Sequence, residues 1–258
     1  MPEAGALERP TPRDEAWRYA DGEWLAHAPA DWLHHWGTLD VPAGETKCSH
    51  SFRDSGAQAT GGWLQRTRIH VGAGGRYEHF EINACRAYSR IELEVTLEEG
   101  AHFEFGGVTI GREDARQEFV TRVIHKSPHA TSNQVVRAVQ GGHSTGNYLG
   151  RIEVARDAQK TDAAQNFRAI LLDAGASANT KPELEIFADD VKCAHGAAIG
   201  QLDQAAAYYM AARGIAPDVA RKLLVQAFIG DALVAINDRQ IADRMLERAL
   251  GQLEGAAL

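Results

Sequence analysis

The chain has 258 residues, 44% of them hydrophobic and 24% charged, an ordinary globular composition with room for one large domain or a domain and an appendage. Its formal net charge of −8 opposes binding to nucleic acid or to an anionic membrane surface. No stretch approaches the ~20 apolar residues of a spanning helix, the start "MPEAGALERP" lacks the basic-then-apolar pattern of a secretory leader, and three cysteines, an odd number, fit a reduced, cytoplasmic setting.

In chain order, residues 1–60 read as an irregular N-terminal segment. "RDEAWRYADGEWLAH" predicts a short helix, and "DWLHHWGTL" a helix or a strand. His34 and His35 beside Trp36 read as a surface or interface patch.

Residues 61–200 read as a β body. Apolar and polar residues alternate in "TRIHV" (Thr67–Val71), "IELEVTL" (Ile91–Leu97), "HFEF" (His102–Phe105), "RIEV" (Arg151–Val154) and "ELEIF" (Glu183–Phe187), the period that puts alternate side chains on opposite strand faces. Turn signals separate them at 72–75, 98–101, 140–143 and 173–177. A β-sandwich and a parallel β-helix both fit. Short strands with Gly-Ala corners favour the β-helix, although the glycine spacing is irregular.

Residues 201–258 switch to a helical period. "DQAAAYYMAARGI" has Asp203 as N-cap and Gly214 as stop. The next helix begins near Pro217 and places Val219, Leu223, Leu224, Ala227 and Phe228 on one face. A last helix carries Ile241, Met245, Leu246, Ala249 and Leu253 at the same spacing.

The best candidate ligands lie where the strands give way to helices. Cys193 and His195 are two apart on a strand, so they share a face, and a thiolate and an imidazole so placed can reach one zinc or iron centre. Two ligands do not hold a metal alone, so the rest must come from elsewhere in this chain or from another. A buried cysteine beside a hydrogen-bonded histidine is the competing reading. Cys48 and His50 repeat the spacing in the unplaced region, where a chance match is the simpler account. Cys85 reads as a small buried apolar residue, and His125 and His129 flank a turn. No nucleophile elbow or phosphate loop is present.

The stretch "NFRAILLDAGASANTKPELEIFADDVKCAHGAAIGQLDQAAAYYMAARGI" resembles the SufB/SufD family of iron–sulfur cluster assembly proteins, over roughly residues 120–236. The family pattern is kept at Asp190, Val191, Lys192, Cys193, His195, Gly196, Ala197, Gly200, Tyr209, Arg213, Gly214 and Ile215, with small changes at Ala194, Ala198 and Ile199. "PTPRDEAWRY" resembles the amino-terminal pattern of the SufD branch, and "CAHGA" favours that branch over SufB. The helical domain usual between that motif and the β body is nearly absent, so the chain resembles a shortened SufD-branch member.

This resemblance implies a right-handed parallel β-helix followed by a C-terminal helical segment. It implies a non-catalytic scaffold that pairs with SufB through the β-helix ends and docks the ATPase SufC on the C-terminal helices. It implies that His195, with Cys193 less strongly indicated, helps hold a transient iron–sulfur cluster shared with SufB. Flavin binding is left open, and a homodimer in isolation is expected to be accessible. Two rivals are a SufB-like homodimeric scaffold and a carbohydrate-active β-helix enzyme. The latter needs Asp, Lys and Arg clustered on successive rungs, a pattern not evident in the sequence.

Overall fold

The structure is a computed structural model that describes residues 8–54 and 61–253. Residues 1–7, on which the reading of a missing leader largely rests, lie outside the described residues. A 3-10 turn (Glu15–Trp17), helix α1 (Gly22–His27) and helix α2 (Ala30–His34) open the chain. Then come strands β1 (Gly37–Val41), β2 (Thr46–Arg53), β3 (Trp63–Val71), β4 (Arg76–Asn83), β5 (Tyr88–Leu97) and β6 (His102–Gly111). They continue as β7 (Arg116–His125), β8 (Thr131–Gln140), β9 (Thr145–Val154), β10 (Asp162–Leu171), β11 (Ser177–Ile186) and β12 (Lys192–Gly200). Helices α3 (Gln204–Ala212), α4 (Pro217–Gly230) and α5 (Arg239–Gly251) follow.

Odd-numbered strands form one six-stranded sheet and even-numbered strands another, all parallel. Each coil contributes one strand to each sheet, which makes the body a parallel β-helix. It begins at Gly37, inside the stretch expected to be irregular. The stretch "DWLHHWGTL", expected as a helix or a strand, holds both, the end of α2 and the start of β1, whose only inward apolar residues are Leu39 and Val41 before Pro42.

Phe103, Phe105, Phe119, Tyr148 and Phe167, with valines and leucines of both sheets, fill the space between the sheets. Stacking in register removes these side chains from water, which supplies the main driving force. Polar residues share that interior. The Tyr148 hydroxyl lies 3.1 Å from Thr121 Oγ1 and donates to Gln134 and Gln165. Gly150 leaves the room for this group, because a Cβ there would lie 2.4 Å from the Tyr148 hydroxyl and 2.0 Å from Gln165 Oε1.

The even-numbered sheet is roofed by the C-terminal helices. Val225, Ile229, Leu233, Ile236, Met245 and Leu253 pack on its outer residues Phe80, Ile82, Val108, Ile110 and Val139. Asp203 caps α3 with two backbone bonds, and Pro217 opens α4, as read. The contact face of α4 differs from the expected one: Val219 and Leu223 are exposed, and Ala220, Val225 and Ile229 are buried. The apolar residues of α4 spread around more than one face, and those turned to the sheet are Ala220, Val225 and Ile229, with Phe228 packed beside them.

The odd-numbered sheet carries the N-terminal residues as a strap on its outer face. The strap reaches from the first coils to the last: Leu33 O accepts from Arg66, Trp17 covers Arg90, Tyr19 O accepts from Asn147, and Glu15 pairs with Lys181.

Candidate functional site

Among the described residues, the last strand of each sheet closes the solenoid without a further coil over it. On β12, Cys193 pairs with Ala163 and His195 with Gln165 of β10. Ala163 and Gln165 are buried interior residues. Parallel strands in register keep equivalent side chains on one face, so Cys193 and His195 carry the interior phase into a coil whose far side is open. Their burial differs accordingly. Cys193 is half-buried beside Ile152, Val154 and Ala163, whereas His195 is exposed. The imidazole is therefore not sealed within its own chain.

Burial, and then the neighbouring Asp162 carboxylate, push the Cys193 thiol up from its ordinary range. A raised thiol resists forming the thiolate that binds metal, which supports packing as the main duty of Cys193. Among the described residues, no group of three or more His, Cys, Asp or Glu stands close enough to hold a metal ion. His195, with Cys193 beside it on the same face, can supply at most two ligands, so a complete site would need others from outside the described residues.

The other Cys-x-His pair lies on β2, at the opposite edge of the same sheet. Five strand spacings of about 4.8 Å separate the two, roughly 24 Å. The phase differs too. Cys48 and His50 point outward, with Phe52, toward the α5 side, while Tyr77 and His79 of β4 point in. Cys48 Sγ donates to Glu78 Oε2 at 2.8 Å, and burial together with that carboxylate raises the thiol to about 12. His50 stacks on Phe80, its Nε2 buried without a partner, and burial pushes its pKa down. The two pairs do not assemble.

The two ends of the solenoid differ in chemistry. At the first end, β1 is only five residues long and the strands carry Asp40, Lys47 and Arg53. At the last end, β11 carries Lys181, Pro182, Glu183 and Glu185. From Cys193 to Gly200, in contrast, β12 holds no Asp, Glu, Lys or Arg and mainly small residues. Proteins normally blunt a free strand edge with charge, proline or brevity. β12 has none of these over eight residues.

One feature escaped the sequence reading. The register lines up Arg68, Glu94, Arg122, Arg151 and Glu183 across five strands of the odd-numbered sheet. Charges on successive rungs therefore do exist. They are joined as Arg68–Glu94, Arg122–Glu94, Arg122–Glu153 and Arg151–Glu183 ion pairs, so the row is a cross-strand ladder with its carboxylates engaged.

Comparison with known proteins gives this geometry a context. The family described as "SUF system FeS cluster assembly, SufBD core domain" matches residues 55–228, which takes in most of the stretch that carried the resemblance and begins well upstream of it. The chain is 36% identical over 173 residues to an iron–sulfur cluster assembly SufBD family protein of Synechocystis, covering 66% of this chain and 38% of that protein. It is 37% identical over 135 residues to the chloroplastic protein ABCI7 of Arabidopsis thaliana, covering 52% and 28%. It is 33% identical over 137 residues to the iron–sulfur cluster assembly protein SufD of Escherichia coli, covering 53% and 32%. The matches thus span about a third of these relatives' lengths. Among the described residues, no helix is long and apolar enough to cross a membrane.

Proposed function

The chain belongs to the SufBD core-domain family of SUF-system iron–sulfur cluster assembly proteins, and from that premise we propose that it is a non-catalytic scaffold subunit completed by a partner at the open end of its β-helix. The observation that carries this reading is the bare β12 edge with the exposed His195 on it. A SufB chain, expected from the same family, would bring a β-helix edge of its own. Main-chain hydrogen bonds across the junction would continue the sheet, and the partner would bring the missing ligands beside His195. The cluster is then cargo held between two chains. An imidazole binds an iron cluster less firmly than a thiolate does, which suits a site that must release what it builds. The C-terminal helices, fixed to the even-numbered sheet, are the proposed seat of the SufC ATPase.

Co-expression with SufB and SufC chains tests the reading. A stable complex is expected. His195→Ala should leave that complex intact and lower the iron and sulfide recovered after anaerobic reconstitution. Undiminished reconstitution in the variant would sink the role of His195, and a homodimer that ignores both partners would favour the SufB-like rival.

A further inference from the structure

We propose that Arg137 is a positioning residue that ties helix α4 to the strand bearing His195; this rests on the reading of His195 as the site. Arg137 lies on the helix-facing side of β8 and is 3% exposed. Its Nε donates to Asp231 Oδ2 at 2.9 Å, and Nη2 donates to the same oxygen. Its Nη1 donates to the carbonyl oxygens of Val136, at 2.8 Å, and of Asn166, at 3.2 Å. Asp231 is the C-cap of α4. One rigid guanidinium therefore grips the end of a helix and the backbone of β10 together.

The next link is the pairing of Asn166 with Gly196, the residue after His195. A Cβ on Gly196 would lie 2.8 Å from Asn166 Nδ2, so the amide rests directly against the β12 backbone. Asn166 Oδ1 is buried without a hydrogen-bond partner, which leaves that amide no competing anchor on its oxygen side. The route runs from Asp231 through Arg137 and Asn166 to Gly196 and the backbone of His195.

The two halves of the tether differ in a useful way. The Arg137 side chain is 4% exposed, and the Asp231 side chain is 52% exposed. A buried guanidinium that loses its carboxylate is strongly destabilised where it stands. Any displacement of the α4 terminus must therefore drag Arg137 along or strip it of its partner, and either outcome disturbs the carbonyl of Asn166. Lysine does not replace this arrangement, because an ammonium lacks the planar fork that reaches a carboxylate and two carbonyls at once.

The test uses the full chain without partners. Hydrogen–deuterium exchange is followed for residues 192–200, with the His195 ring resonances as a second readout. Asp231→Ala, at the exposed half of the tether, is expected to raise exchange in 192–200 by about tenfold, within the span usual for coupled sites. It should also shift the His195 resonances while leaving β5–β7 unchanged. Asp231→Glu should restore the wild-type pattern, and Arg137→Lys should reproduce the alanine effect. If the change in Asp231→Ala is confined to residues 228–236 and both His195 readouts match wild type, the proposal is wrong. Because no partner is present, that failure is separable from failure to assemble with SufB.

Discussion

The Trp17 ring centroid lies 4.0 Å from the guanidinium carbon of Arg90. Arg66 lies 5.5 Å from the same indole and 4.0 Å from that of Trp36, so indoles and guanidinium groups alternate through Trp36, Arg66, Trp17 and Arg90. Arg90 is fully buried and donates to Glu118 at 3.0 Å and to Glu92 at 3.1 Å. The tryptophan of the "AWRY" stretch is thus the lid on a buried ion-pair network.

Removing that lid should be costly. Trp17→Ala loses a buried indole and admits water to the network, for an expected loss of about 3–5 kcal/mol in urea unfolding. Arg90→Ala should cost about as much, because Glu118 is left buried without its cation. Trp17→Phe should retain much of the stability. A Trp17→Ala chain as stable as wild type would show that the strap merely lies on the sheet.

Acid sensitivity should have an identifiable source in His125. Burial pushes this histidine down to about 4, with the nearby His102 in the same direction and a backbone bond at Ala130 opposing. Its Nε2 lies 2.9 Å from Ser132 Oγ. A base whose pKa is lowered by folding binds fewer protons in the native state. Its stability contribution is therefore complete above the unfolded value near 6.5 and is lost as pH falls from there to about 4. Urea midpoints measured from pH 7.5 to 4 should decline in that window. The decline should flatten in His125→Gln, and an unchanged slope would assign the sensitivity elsewhere.

Cys48 should be exposed and yet slow to react. Its thiol is raised to about 12 by burial and by the Glu78 carboxylate that accepts its hydrogen bond. Alkylation at pH 8 should run well below the rate of a free thiol, whose pKa is near 8.5. Glu78→Gln should accelerate it, and equal rates in both chains would refute the assignment.

Two glycines should behave oppositely. Gly150→Ala forces a methyl group into Tyr148 and Gln165, for an expected loss of about 1–3 kcal/mol in thermal or urea unfolding. Gly230→Ala, at the end of α4 with nothing within 4 Å of the new carbon, should be neutral or gain up to about 1 kcal/mol.

The strands were legible because Ile91–Leu97 and its like alternate cleanly, and the helices because Asp203 and Pro217 mark their starts. The coil repeat was not. Thr67 pairs with Leu93, 26 residues on, while Gly150 pairs with Pro182, 32 residues on. Turns absorb the difference, and left-handed corners are taken by Glu113, His129 and Lys160 as well as by Gly74, Gly100 and Gly142. A search for evenly spaced glycines therefore sees no period. The same variation hid the charge ladder from Arg68 to Glu183, whose members stand together only once the register is known. The Cys193–His195 spacing was visible, but its exposure was not, since that depends on β12 being the final strand of its sheet.

On the proposed reading, the unlike tips of the solenoid would limit how many molecules can join. Under the proposed pairing, a rod that joins only through its β12 tip would stop at two, because two such rods meeting tip to tip leave only their β1–β2 ends. Had the β1–β2 tip been as bare as β12, the same attraction would have drawn the protein into fibres.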